Sequence, residues 1–180
     1  QAHNNLGNAL HQLGMLTAAS ESFQRAIQLK PDYVVAYNNL SLVQKDQDDI
    51  NAAQLSCRRA LELDPNYAEA HVNLAALLQS QQKSTEAVAH CQQALLIKPA
   101  YFEALVNLGN ALKSQGQLQQ AISHYENALR LRPNSVEANF NLGVSLVMHN
   151  RSDLAVSNFD RILQLNPAHE MAQIHKRLIL

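Results

Sequence analysis

Apolar residues recur along this chain at helical spacing, in short segments separated by polar turns. In residues 102–133, the first segment carries leucines that share one face of a helix. Gly116 follows in a polar stretch, and glycine is common at the left-handed position after a helix end. A second apolar stripe begins at Leu118, and Pro133 ends it. The pattern predicts two helices joined by a tight turn.

This helix pair recurs every 34 residues. The residues that keep the spacing are Pro31, Pro65, Pro99, Pro133 and Pro167, together with Leu6, Leu40, Leu74, Leu108 and Leu142, and Ala19, Ala53, Ala87, Ala121 and Ala155. A period of this length is typical of helix-turn-helix solenoids, in which each unit contacts only its neighbours. We therefore predict one all-α domain over residues 1–180, with repeats at about 1–33, 34–67, 68–101, 102–135 and 136–167 and a terminal helix at 168–180.

Small residues occupy further fixed positions in the repeat. Those that directly follow the repeated leucines are Gly7, Ser41, Ala75, Gly109 and Gly143. Small side chains there allow a neighbouring helix to approach, since large ones would overpack the contact.

A separate position, the turn slot after the first helix, holds residues that tolerate or often occupy turns: Gly14, Asp48, Gln82, Gly116 and Asn150. Cys57 and Cys91 stand where other repeats have an aromatic residue, so we expect buried free thiols.

Together these features resemble the tetratricopeptide repeat family over essentially the whole chain. The matching elements are the leucine with its small neighbour, the paired alanines, the aromatic residue between them and the closing proline. The resemblance implies a right-handed superhelix whose first helices line a concave face that binds proteins. One departure is the family's frequent tryptophan position, which here holds His3, Tyr37, His71, Leu105 and Asn139.

One asparagine per repeat precedes the repeated leucine. This asparagine row consists of Asn5, Asn39, Asn73, Asn107 and Asn141. Its members lie about 100° around the helix from the leucines, at the edge of the core stripe. An amide offers donors and an acceptor that match a peptide group, so we predict that the row binds an extended peptide, with Asn8 and Asn110 beside it. The alternative is that these amides brace adjacent repeats.

Three glutamates form a second row, four residues before asparagines of the first. This glutamate row consists of Glu69, Glu103 and Glu137. Residues four apart share a helix face, so the row predicts a preference for peptides with lysine, arginine or hydroxyl side chains. The alternative is that the glutamates only interact favourably with the helix dipole in the first turn.

The fifth repeat carries an apolar stripe made of Phe140, Val144 and Met148, where the first repeat has polar residues. The stripe either packs under the terminal helix, or forms a hydrophobic subsite for a partner or for absent residues. In the terminal helix, Met171, Ile174 and Leu178 share one face, which we predict covers the last repeat. A truncated sixth repeat is the other interpretation.

Composition narrows the functional classes. The formal net charge is −1, which gives no electrostatic attraction to nucleic acid or to an anionic membrane. The histidines lack zinc-site spacing, and no phosphate-binding loop or nucleophile motif is present, so we expect no metal, no cofactor and no catalysis by this segment. The chain begins inside a helical pattern, and we interpret it as a fragment of a longer protein.

The function predicted from these patterns is a scaffold that binds an extended peptide of another protein along an asparagine-lined groove. The row of amides with acids beside it is similar to the superhelical repeat domain of O-linked N-acetylglucosamine transferases. The first alternative is therefore a substrate-recognition arm of a larger enzyme. The second is a module that self-associates, end to end or through the groove.

Overall fold

The computed structural model describes residues 1–179, and all regular elements in that range are helices. In chain order they are α1 (Ala2–Gln12), α2 (Leu16–Leu29), α3 (Val34–Asp46), α4 (Ile50–Leu63), α5 (Ala68–Ser80), α6 (Ser84–Ile97), α7 (Phe102–Ser114), α8 (Leu118–Leu131), α9 (Val136–Met148), α10 (Ser152–Leu165) and α11 (Glu170–Ile179). Among the described helices, none combines the length and the hydropathy that a membrane span requires.

The helices pack as a solenoid of pairs. Each odd-numbered helix from α1 to α9 contacts the even-numbered helix that follows it, and that helix contacts the start of the next pair. Successive odd-numbered helices from α1 to α9 also contact one another, whereas the even-numbered helices of the described chain make no comparable contact. The stack therefore curves with the odd-numbered helices on its inner face.

The turn inside each repeat has one conformation throughout. Its central residue has a positive φ in every repeat: 74° at Gly14, 63° at Asp48, 61° at Gln82, 75° at Gly116 and 60° at Asn150. The next residue donates its N–H to a carbonyl five positions back, as Gln117 does to Leu112 at 2.9 Å. This bond defines a Schellman cap, which satisfies carbonyls at the helix end. The turn slot predicted from sequence is confirmed.

Within each repeat, a small residue on the first helix faces a larger one on the second. A Cβ added to Gly109 would lie 2.5 Å from Cε1 of Tyr125. Ser41 and Cys57 in the second repeat occupy the same two positions as Gly109 and Tyr125. Ala75 and Cys91 occupy them in the third repeat. Both cysteines are fully buried free thiols, as predicted.

The repeated leucines form the core, except at the first position. Leu40, Leu74, Leu108 and Leu142 are buried, but Leu6 is 50% exposed. Helix α1 contacts only α2 and α3 in the described chain, so no repeat covers the other side of Leu6. The repeated leucine is therefore a core residue in repeats two to five but not in the first.

Polar residues at the family's tryptophan position bind the closing proline of the preceding turn. Nδ2 of Asn139 donates to the carbonyl of Pro133 at 3.1 Å, and Nε2 of Gln173 donates to that of Pro167 at 2.7 Å. Nε2 of His71 lies 3.0 Å from the Pro65 carbonyl. A hydrogen bond to the turn thus takes the place of an aromatic contact.

Helix α11 presents a different face to the body than predicted. Met171, Ile174 and Leu178 are 49%, 48% and 76% exposed, so they do not cover the last repeat. Ala172 is fully buried instead, as are the alanines at the same repeat position in α3, α5, α7 and α9: Ala36, Ala70, Ala104 and Ala138. The repeat register decides which face is buried, and α11 lies where the first helix of a further repeat would lie.

Candidate binding groove

The asparagine row lies on the odd-numbered helices from α1 to α9, and its first half is bonded between repeats. Nδ2 of Asn39 donates to Oδ1 of Asn4 at 3.2 Å and to Oδ1 of Asn8 at 3.1 Å. Nδ2 of Asn73 donates to Oδ1 of Asn38 at 2.8 Å. These bonds join each repeat to the one before it, so the bracing interpretation describes Asn39 and Asn73.

The second half of the row keeps its amide donors. No side-chain hydrogen bond involves Asn107 within residues 1–179, and Oδ1 of Asn141 accepts from Nζ of Lys113 at 3.0 Å. The repeat position that is Asn4 and Asn38 in the first two repeats is Val72 and Val106 in the next two. Valine offers no acceptor, so the N–H groups of the later asparagines remain open.

The other asparagines of the predicted site accept hydrogen bonds through Oδ1, and their Nδ2 groups donate to no residue within 1–179. Asn8 accepts from Asn39, and Oδ1 of Asn5 accepts from Nε2 of Gln1 at 3.2 Å. Oδ1 of Asn110 accepts from the hydroxyl of Tyr125 at 2.6 Å, which leaves its Nδ2 available. Within residues 1–179, open amide donors are thus found in repeats one, four and five, whereas Asn39 and Asn73 donate to the preceding repeat.

Two members of the glutamate row already have cationic partners. Glu69 forms an ion pair with Lys98, and Oε1 of Glu103 lies 2.7 Å from Nη1 of Arg132. Each pair joins the start of a first helix to the end of the second helix in the same repeat. Glu137 forms no ion pair with any residue that the structure describes, since the equivalent of Arg132 is Asn166.

A cleft of about 760 Å³ lies next to Glu137, where α9 begins. Its lining includes Arg132 and Arg161, and Nη2 of Arg161 donates to Oδ1 of Asn134 at 2.5 Å. The Arg132 guanidinium also stacks over the Phe102 ring, 4.2 Å from the centroid. The cleft is thus lined by side chains of both charge signs.

Lys113 was not recognised from sequence as part of this surface. Its Nζ lies 5.9 Å from the ring centroid of Tyr125, and its side chain is half-buried between α7 and its neighbours. Burial lowers the pKa of Lys113. Tyr125 is fully buried, and burial, followed by the charge of Glu137, raises the pKa of its hydroxyl well above its usual range.

The apolar stripe is partly covered by α11. The Phe140 ring lies 5.4 Å from the ring of His175 and 5.9 Å from that of His169. Val144 is partly buried, whereas Met148 is 54% exposed. The prediction that the stripe packs under the terminal helix is confirmed for Phe140, which contacts two histidines of the 168–179 segment, and is wrong for the exposed Met148.

Two histidines meet in the third repeat without making a metal site. Nδ1 of His71 lies 2.9 Å from Nδ1 of His90, and no group of three or more potential ligands is present in the part of the chain described. Burial lowers the pKa of His90, and the neighbouring His71 and Arg58 add to this. The pair is a hydrogen-bonded contact between α5 and α6.

Solved structures share this architecture at low sequence identity. YrrB, described as a TPR protein with an unusual peptide-binding site, has a TM-score of 0.77 and 21% identity over 97% of this chain and 90% of that one. PilF of Pseudomonas aeruginosa has a TM-score of 0.90 and 21% identity over 99% and 81%. MamA of Desulfovibrio magneticus RS-1 has a TM-score of 0.80 and 18% identity over 93% and 95%.

Models of the repeat itself match much of the chain. A TPR repeat model matches residues 7–48 and 109–149, and two tetratricopeptide repeat models match residues 34–67 and residues 56–89 and 90–123. No curated protein matches the chain significantly. With the repeated helix pairs and their shared turns, these matches show that the chain belongs to the tetratricopeptide repeat family.

Proposed function

We propose that this chain binds an extended segment of another protein along its inner face, with Asn107 and Asn141 holding the backbone. The observation that carries the proposal is the difference along the asparagine row. Asn39 and Asn73 bond to the preceding repeat, whereas Asn107 and Asn141 keep open donors beside apolar neighbours. An amide in such surroundings gains most from a ligand that supplies the missing acceptor.

The proposed contacts fit the general features of an extended peptide. Its backbone carbonyls would accept hydrogen bonds from the open amides, and this recognition does not depend on the side chains of the peptide. Glu137 would then favour a basic or hydroxyl side chain at one end of the bound segment, since it is the unpaired member of the glutamate row within the described chain. Met148 would offer an apolar contact at the other end of α9.

The comparison with YrrB adds support from analogy. That protein is described as having a peptide-binding site on the same architecture. No feature within residues 1–179 favours the enzyme-arm alternative over a free-standing scaffold, and both use the same groove. Self-association stays a prediction, which a concentration-dependent mass would test.

The experiment compares two matched double variants on an array of random extended peptides. We expect Asn107→Ala with Asn141→Ala to weaken binding about tenfold or more, from the loss of two net hydrogen bonds to the peptide, and to lower the melting temperature only slightly, through the lost bond from Lys113. Asn39→Ala with Asn73→Ala should lower the melting temperature more, because it removes three bonds between repeats. The proposal fails if the wild type binds no peptide, or if the first variant folds and binds as the wild type does.

A further inference from the structure

Lys113 and Lys45 occupy the same repeat position in different surroundings. Lys45 is exposed near the end of α3, whereas Lys113 is half-buried near the end of α7. The second helix places the fully buried Tyr125 beside Lys113, where the repeat of Lys45 has the smaller Cys57. Lys113 also reaches the next repeat and donates to Oδ1 of Asn141 at 3.0 Å.

In the first repeat, the residue equivalent to Lys113 is His11, and it pairs with a carboxylate. Its Nε2 lies 2.6 Å from Oδ2 of Asp46, in the last turn of the next odd-numbered helix. The same position in the helix that follows Lys113 is Met148, because the chain repeats every 34 residues. The carboxylate that pairs with His11 therefore has no counterpart beside Lys113.

The ammonium of Lys113 is left with donor capacity. It carries three N–H groups, of which one bonds to Asn141. It forms no ion pair with a carboxylate in the part of the chain that is described. Glu137 lies one turn before Asn141, but within the described chain it forms no ion pair with Lys113. A half-buried ammonium without a counter-ion is costly, and lysine is seldom buried unless paired.

We propose that Lys113 selects a carboxylate of the bound segment, which takes the place that Asp46 takes beside His11. This inference rests on the proposed function, since it names the side-chain chemistry read by the same groove. The carboxylate would accept from Nζ of Lys113 next to Asn141, with the exposed Met148 on its other side. An aspartate or glutamate side chain and a chain terminus offer the same group.

Paired peptides test the proposal directly. Each peptide of the array is made with glutamate and with glutamine, and each with a free acid and with an amidated C-terminus. We expect the wild type to bind a subset of the acidic versions about tenfold more tightly than their neutral partners, the effect of one charge-assisted hydrogen bond. A preference confined to the first pair assigns a side-chain carboxylate, and one confined to the second assigns the terminus.

Two lysine variants separate selection from bracing. Lys113→Met should abolish the acidic preference while keeping or raising the melting temperature, because it removes a desolvated charge. Lys45→Met removes the same charge from an exposed site and should retain the preference. A lower melting temperature of Lys113→Met with an unchanged acidic preference would show that Lys113 only braces Asn141 and would overturn the proposal.

A carboxylate placed inside the chain gives a readout that needs no peptide. Met148→Asp recreates the arrangement of His11 and Asp46, so it should raise the melting temperature in the presence of Lys113 and not in Lys113→Met. It should also cancel the acidic preference. Ser80→Asp places the same acid in the equivalent position next to Lys45 and should do neither. If Met148→Asp gives no stabilisation that depends on Lys113, the proposal is wrong even if peptides bind.

Discussion

Gly109 of α7 and Tyr125 of α8 pack so closely that a Cβ on the glycine would lie 2.5 Å from the tyrosine ring. The first and fifth repeats have the same relationship, with Gly7 against Phe23 and Gly143 against Phe159. The repeats with a cysteine at the aromatic position have serine or alanine in place of glycine. The two positions thus vary together within one chain, which keeps the volume between the two helices nearly constant.

We expect Gly109→Ala to destabilise the protein by about 1–3 kcal/mol, the usual effect of overpacking. In an exposed helix the same change would stabilise by about 0.5–1 kcal/mol, so the sign itself reports the contact. Adding Tyr125→Cys recreates the pair of the third repeat and should recover part of the loss. Urea unfolding of the two single variants and the double variant gives the coupling energy, and simple additivity would contradict the prediction.

Asn39→Ala should lower the free energy of unfolding by about 1–2 kcal/mol, since it removes two hydrogen bonds to the preceding repeat. It also leaves the buried amide of Asn4 without its donor. Asn107→Ala is the matched control, and it should be neutral or stabilise by about 0.5 kcal/mol through helix propensity. Equal losses in the two variants would show that the whole row braces the stack.

Acid should weaken the third repeat. The pKa of His90 is lowered from 6.5 in the folded protein, first by burial and then by His71 and Arg58, with Glu86 opposing. The unfolded chain therefore binds more protons, so this contribution is complete above about pH 6.5 and is lost as the pH falls toward the folded pKa. We expect His90→Gln to reduce the loss of melting temperature between about pH 7.5 and pH 5. An unchanged loss in His90→Gln would contradict the prediction.

The two thiols should be inert in the folded protein. Burial raises the pKa of Cys57 to about 11 and that of Cys91 to about 12, and the reactive species is the thiolate. A thiol-specific reagent at neutral pH should label neither cysteine in native protein and both in urea. Rapid labelling of the native protein would show that α4 or α6 opens readily from the stack.

Gln82→Gly should stabilise the turn between α5 and α6. Gln82 has a φ of 61°, where a side chain costs roughly 1–2 kcal/mol and glycine does not. The expected gain is about 1 kcal/mol, since glycine also loses more backbone entropy on folding. Gly116→Ala is the reverse change at the equivalent turn and should destabilise by a similar amount. Thermal unfolding of both variants tests the pair, and a loss in Gln82→Gly would contradict it.

The 34-residue period by itself determined most of the fold. One turn slot and one closing proline per unit predicted the helix pairs and their caps, and both are confirmed. Local patterns suffice here because each unit contacts only its neighbours. The same logic fails at the ends of the stack, where Leu6 is exposed although its equivalents are buried.

Tertiary structure decided what the repeated residues do. From sequence, Asn39 and Asn107 are equivalent, yet one has both donors bonded across repeats and the other has no side-chain hydrogen bond within the described chain. The difference comes from the residue that the preceding repeat presents to each amide. Lys113 differs from Lys45 for the same reason, since Tyr125 and Met148 set its surroundings. Position in the repeat determines where a side chain lies, and its neighbours in other repeats determine whether it is bonded, buried or available.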